Sequence, residues 1–223
     1  MRVAMPSKNT VREYKENGFY HVYNRGVAKQ TIFLDIQDYK VFIGYLKIYL
    51  SPINLQGRIL KVPPTRQLKN FCQQSFLHCY CLMPNHFHLL LYQKDVFGIP
   101  LFLKSLLTKY SMYFNKKYKR VGPVFQGKYK AVEVESEEQF LYLSKYIHRN
   151  PLPTGSDPVG LENYKYSSYQ NYLGLFNQPW VKTEDILSYF NQTKPAESYK
   201  SFVRETDESD ILRIKGQVLD IDD

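Results

Sequence analysis

The hydrophobic pattern changes period several times along the chain, and each change marks an element. "GFYHVYNRGV" (Gly18 to Val27) alternates and is rich in β-formers, which predicts a strand ending at Asn24-Arg25-Gly26. In "DIQDYKVFIGYLKIYL" the period lengthens. Val41, Phe42, Tyr45, Leu46, Ile48 and Tyr49 fall at helical spacing, with Asp35 or Asp38 available to cap the start. Ser75 to Met83 and His86 to Gln93 read as two strands joined by a tight Pro84-Asn85 turn. Pro100 to Tyr118 gathers Leu103, Leu106, Leu107, Tyr110 and Phe114 on one helical face, and Gly127 to Glu135 alternates again as a fourth strand. Ser136 and Gln139 have the spacing of a capping box and open a helix that runs through Tyr146 and that Pro151 must end. The order β-α-β-β-α-β-α predicts an α+β sandwich, a mainly antiparallel sheet covered by helices.

The flanks are less regular. Residues 1–17 read as a loose polar arm, and "SPINLQGRILKVPPTRQLKN" as a loop with prolines. The main domain is expected over residues 18–175, with a C-terminal extension over 176–223. In that extension "KTEDILSYF" has the pattern of an amphipathic helix, and the acidic end after Arg204 reads as a mobile tail.

Composition sharpens the picture. The 223 residues are long enough to bury a core, and 43% hydrophobic with 16% aromatic content excludes a disordered chain. No apolar run approaches a membrane span, and the N-terminus lacks the apolar stretch of a signal peptide. Cys72, Cys79 and Cys81 form neither a zinc-type CxxC pair nor an even disulfide set, so free core thiols in a reducing cytoplasm are expected. The net charge of +9 is uneven. Residues 205–223 hold seven acids and two bases, which leaves 28 bases against 14 acids, a net +14, in residues 1–204. No acid lies between Asp95 and Glu133, where eight lysines and arginines do. Charge this concentrated favours a polyanionic partner, although a solvated basic face would look the same.

The chemistry centres on "CLMPNHFHLLLYQ". Side chains alternate along a strand, so His86 and His88 project to one side and Phe87 to the other. Two imidazoles on one face are either half of a metal clamp or two hydrogen-bonded structural groups, and the pair alone does not decide. On the helix from Glu137, Tyr142, Tyr146 and Asn150 recur at four-residue spacing near one face. A hydroxyl nucleophile beside a divalent ion on a basic protein suggests phosphoryl transfer on nucleic acid.

"MPNHFHLLL", "GPVFQGKYKAVEVES" and "YLSKYIHRNPL" together resemble the REP-associated tyrosine transposases. These belong to the single-strand DNA transposases called HUH, for two histidines flanking a hydrophobic residue. "HVYNRG" and "YSSYQNYLG" add to the resemblance, which spans roughly Gly18 to Gly174. It implies a ferredoxin-like core with His86 and His88 as metal ligands on a central strand. It also implies a catalytic tyrosine just before an Asn-Pro step, which is Tyr146, with Asn150 as the third ligand and Tyr142 as the rival nucleophile. The implied reaction is cleavage of single-stranded DNA near a hairpin, leaving a 5′-phosphotyrosine and a free 3′-hydroxyl, with Mg²⁺ or Mn²⁺. Imidazoles are soft ligands for Mg²⁺, so Mn²⁺ is expected to support activity well. Pro151 is expected to push Asn150 out of helical geometry. His148 lies on another side of the helix, and His21 and His78 read as structural.

Lys116, Lys117, Lys119, Arg120, Lys128 and Lys130 are candidate phosphate contacts, and Asn24 and Arg25 candidate DNA contacts at the end of the first strand. The expected partner is single-stranded or hairpin DNA, bound by a monomer or homodimer without membrane association, in the cytoplasm near the nucleoid. A DNA-hairpin binder whose catalysis has lapsed and a rolling-circle initiator nuclease remain the alternatives.

Overall fold

The structure is a computed structural model and describes residues 14–52, 69–152, 160–205 and 209–214. Most of the polar arm, the proline-containing loop and the last nine residues lie outside the described residues. Four strands, β1 (Gly18–Arg25), β2 (Ser75–Met83), β3 (His86–Gln93) and β4 (Lys130–Glu133), form one antiparallel sheet in the order β2-β3-β1-β4. Helices α1 (Ile36–Leu50) and α2 (Gly98–Lys117) connect them in a ferredoxin-like β-α-β-β-α-β path, followed by α3 (Glu137–Arg149). The α+β sandwich expected from the pattern is therefore the observed architecture.

Local chemistry explains the boundaries. Asp35 caps α1 by accepting from the Asp38 N–H, while the Asp38 carboxylate returns to the Asp35 N–H, a full capping box. Helix α2 begins at Gly98, before Pro100, because a proline in the first turn forfeits no helical hydrogen bond. Strand β4 is shorter than the alternation predicts. Gly127 takes φ 67°, a left-handed conformation that cannot continue an extended strand.

The two faces of the sheet differ. Phe87, Leu89 and Leu91 of β3, with Tyr20, Val22, Tyr80 and Leu82, form the buried floor beneath α1 and α2. The opposite face carries His86, His88 and Leu90 and is covered by α3 through Leu143 and Ile147. A bulge between Leu77 and Cys79 inserts His78 into β2. Cys79 and Cys81 are buried and free as expected, and burial pushes the Cys79 thiol up to about 12.

Residues beyond 175 include some that pack against the sheet. The chain from Tyr166 to Lys182 runs along β2, bridging Cys81 to Ser167 and Leu77 to Val181, and so covers an otherwise open sheet edge. Trp180 stacks on Tyr80, and four short helices follow or flank it: α4 (Tyr169–Tyr172), α5 (Glu184–Leu187), α6 (Pro195–Arg204) and α7 (Asp210–Arg213). The amphipathic helix predicted over Lys182–Phe190 shrinks to the single turn of α5. The first part of the acidic tail is not loose. Helix α7 docks on α3, and the Asp210 carboxylate accepts from the buried Lys145 ammonium at 2.7 Å. No described helix is long and apolar enough to cross a membrane.

Candidate active site

The paired register of β1 and β3 builds the site. Tyr23 lies opposite His88 and Arg25 opposite His86, so odd-numbered β1 side chains share a face with the two histidines. His88 is fully buried, and its Nδ1 lies 2.8 Å from His21 Nε2, with the rings stacked at 17°. His86 is half-buried. Its Nδ1 lies 2.7 Å from Asn85 Oδ1 in the hairpin turn, and its Nε2 lies 2.9 Å from Asn150 Oδ1. The two imidazoles stand perpendicular with centroids 5.1 Å apart.

Helix α3 brings its residues to this pair from above. Ser136 caps its start by accepting from the Gln139 N–H, and the Tyr146 ring packs at 88° and 5.5 Å over His88 with its hydroxyl enclosed. Asn150 departs from expectation. It keeps helical angles (φ −53°, ψ −31°) despite the following proline, because the last turn tightens and the Asn150 N–H reaches back to the Ile147 carbonyl. Tyr142 turns elsewhere: its ring packs on Phe202, and its hydroxyl accepts from Arg213 of α7. His148 points to the far side. There Nδ1 meets the Tyr199 hydroxyl at 2.7 Å and Nε2 meets Ser168 Oγ at 2.8 Å, and burial holds the ring down to about 3.

Two features suit this cluster to a cation. Burial, with the neighbouring His21 and His86, holds His88 well below the usual histidine range, so its ring is neutral and fit to donate a lone pair. His88 Nε2 is buried and has no hydrogen-bond partner among the described residues. Such an atom is uncommon in a folded core, and a bound cation would satisfy it. Among the described residues no three His, Cys, Asp or Glu side chains form a metal cluster, so the third donor would be the Asn150 amide oxygen. An oxygen beside two imidazoles fits Mn²⁺ and tolerates Mg²⁺.

The other predicted residues scatter. Asn24 is buried, and its Oδ1 accepts from the Arg25 N–H. Arg25 donates through Nε to Gln126 Oε1 at 2.7 Å, while its buried Nη1 has no hydrogen-bond partner among the described residues. Lys116, Lys119 and Lys128 are exposed, Lys130 is half-buried on β4, and Arg120 donates to Gln30. Lys117 serves the fold instead, because its ammonium sits 2.7 Å from both Asp35 and Asp38 and ties α2 to α1. His78 pairs with Asp185 at 2.8 Å, as a structural histidine would. His21, read from the sequence as structural, is hydrogen-bonded to His88. The alternation in "FYHVY" puts it on one face with Tyr23, but only the pairing with β3 sets that face beside His88.

The structure thus combines a ferredoxin-like sheet with paired imidazoles on an inner strand, faced by a tyrosine on a following helix. Residues 65–150, which hold His86, His88, Tyr146 and Asn150, match the family described as "Transposase IS200 like". The likeness to tyrosine transposases read from the motifs is borne out by the match of this segment. A solved REP-associated tyrosine transposase, bound to a REP hairpin, is 11% identical with a TM-score of 0.51, over 79% of this chain and 98% of that one. That similarity establishes the shared fold. A Deinococcus radiodurans R1 protein assigned as a transposase is 18% identical over 65% of this chain and 96% of its own, at a TM-score of 0.34. No curated protein matches the chain.

Proposed function

We propose that this protein is a metal-dependent single-strand DNA endonuclease and strand transferase of the transposase type, acting next to DNA hairpins. The observation that carries the reading is the convergence of Tyr146, His88, His86 and Asn150 from β3 and α3 into one cluster. His86 Nε2, His88 Nε2 and the Asn150 amide oxygen would hold Mg²⁺ or Mn²⁺. A divalent ion bound there supplies Lewis-acid stabilisation of charge on the attacked phosphate, worth several kcal/mol.

The chain's own groups do the rest. The Tyr146 oxygen attacks the phosphorus, the bond from phosphorus to the DNA 3′-oxygen breaks, and the phenolic proton is lost as the 3′-oxygen gains one. The products are a 5′-phosphotyrosine and a free 3′-hydroxyl. Because the phosphotyrosine keeps the phosphodiester's energy, a 3′-hydroxyl can reverse the step and rejoin a strand without ATP. Arg25, opposite His86 on the same face, would hold a phosphate oxygen with the Nη1 that lacks a protein partner among the described residues. Lys116, Lys119 and Lys128 would track the backbone further out.

The test is incubation of the purified protein and Mn²⁺ with a labelled hairpin flanked by single strands. A covalent protein–DNA species that survives denaturation is expected from the native chain. Binding without cleavage in any divalent metal would instead identify a hairpin-binding protein.

A further inference from the structure

We infer that His21 is a positioning residue: by accepting a hydrogen bond from His88 Nδ1–H, it fixes the tautomer that turns a bare Nε2 lone pair towards Tyr146 and Asn150. The inference deepens the metal-dependent reading above and rests on it.

Proton counting leads to this tautomer. Two neutral imidazoles whose nitrogens lie 2.8 Å apart share a single hydrogen, so either His88 Nδ1 donates to His21 Nε2 or the reverse. If His21 donates, the proton of His88 must sit on Nε2. That places an N–H donor in a fully buried position with no acceptor among the described residues. If His88 donates, Nε2 carries only a lone pair, which costs nothing further once a cation takes it. A ligating imidazole generally donates its other N–H to a fixed acceptor, and that contact sets both ring orientation and ligand strength.

The second ligand repeats the plan. His86 Nδ1 lies 2.7 Å from Asn85 Oδ1, so that ring too is held from behind through Nδ1, while its Nε2 faces Asn150. The acceptors come from different places, a neighbouring strand for His88 and the hairpin turn for His86. Each leaves Nε2 on the side of α3. His21 is further clamped by Tyr23, whose ring lies 4.9 Å away, so the acceptor does not rotate freely.

Two kinds of measurement separate this inference from the metal reading beneath it. In the metal-free native protein, long-range ¹H–¹⁵N spectra of the histidine rings are expected to show His88 protonated at Nδ1 and bare at Nε2. Mn²⁺ affinity, titrated by electron paramagnetic resonance, should fall about 10- to 100-fold in His21→Leu. His21→Gln places an amide oxygen near the position of Nε2 and should recover most of that loss. An Nε2-protonated His88 in the native protein overturns the inference. So does Mn²⁺ binding as tight as native in a His21→Leu chain that melts like the native one. Should His21→Leu fail to fold, the native spectrum and the Gln variant decide alone. Absence of Mn²⁺ binding by the native chain, with His88 protonated at Nδ1, sinks the metal reading and leaves the orienting hydrogen bond standing.

Discussion

Two fully buried polar side chains, one on each side of the sheet, are completed in different ways. On the α1/α2 side the Asp38 carboxylate accepts from Lys117 at 2.7 Å, from the Tyr118 and Tyr113 hydroxyls at 2.7 and 2.9 Å, and from the Leu34 N–H at 2.8 Å. Burial pushes its pKa up, but these donors outweigh burial and hold it below the usual value. Across the sheet His88 is equally buried, yet Nε2 ends without a hydrogen bond among the described residues. Completing every polar bond serves stability. The open Nε2 of His88 instead lies on the face that Tyr146 covers, where the proposed chemistry would take place.

The sharpest way to break the comparison is at the open face. Tyr146→Phe is expected to abolish the covalent DNA adduct, read on a denaturing gel, and His86→Ala to abolish metal-dependent cleavage. An adduct yield unchanged in Tyr146→Phe would pass the nucleophile to Tyr142 or another tyrosine. Both variants should unfold within about 1 kcal/mol of the native chain, since neither removes core volume from the other face.

Phe87, between the two histidines but pointing the other way, should behave in the opposite manner. Its ring packs on Phe42 and Phe125, so Phe87→Ala should cost about 3–5 kcal/mol in urea unfolding. A loss below about 1 kcal/mol would contradict the division of labour along β3.

The closed polar cluster gives a pH signature. Because the folded pKa of Asp38 is depressed, the stability it lends is present above the unfolded value near 3.9 and is lost as pH falls through the lower folded value. Lys117→Met removes a principal donor and raises the folded pKa, so acid unfolding should begin at a higher pH than in the native chain. Coincident acid transitions would show that the pair contributes nothing. The smallest effect is at the surface: Lys128→Ala should reduce the salt slope of single-strand binding by about 0.7, and an unchanged slope would remove that lysine from the DNA path.

Much of this was legible from pattern alone, and the reasons are physical. Strands β2 and β3 match their predicted limits because a two-residue turn pins their pairing, although the bulge at His78 shifts the register by one residue. Helix α1 is as clear, with Asp35 and Asp38 announcing its cap. Nothing in the composition of "NQPWVKTEDILSYF" signals that Trp180 and Val181 would seat on β2. That depends on long-range packing. The same limit hid the contact of His21 with His88, which the pairing of β1 with β3 creates. Asn150 misled through a sound local rule, since the tightened last turn of α3 absorbed the proline's demand. Lys117 looked like its exposed neighbours, and only the placement of α1 shows its ammonium committed to two carboxylates.

The polar chain behind α3 has a consequence for how the site comes into being. His148 is braced by Ser168 and by Tyr199 on α6, and Tyr199 also reaches Ser144. Every proposed reactive group has already been synthesised when Asn150 is joined, yet the tyrosine that steadies their helix arrives 49 residues later. A polypeptide interrupted between these points would hold Tyr146 and Asn150 on an unbuttressed helix. Under the proposed function, competence to cut DNA would be deferred until translation has moved well past the last group assigned to the cutting.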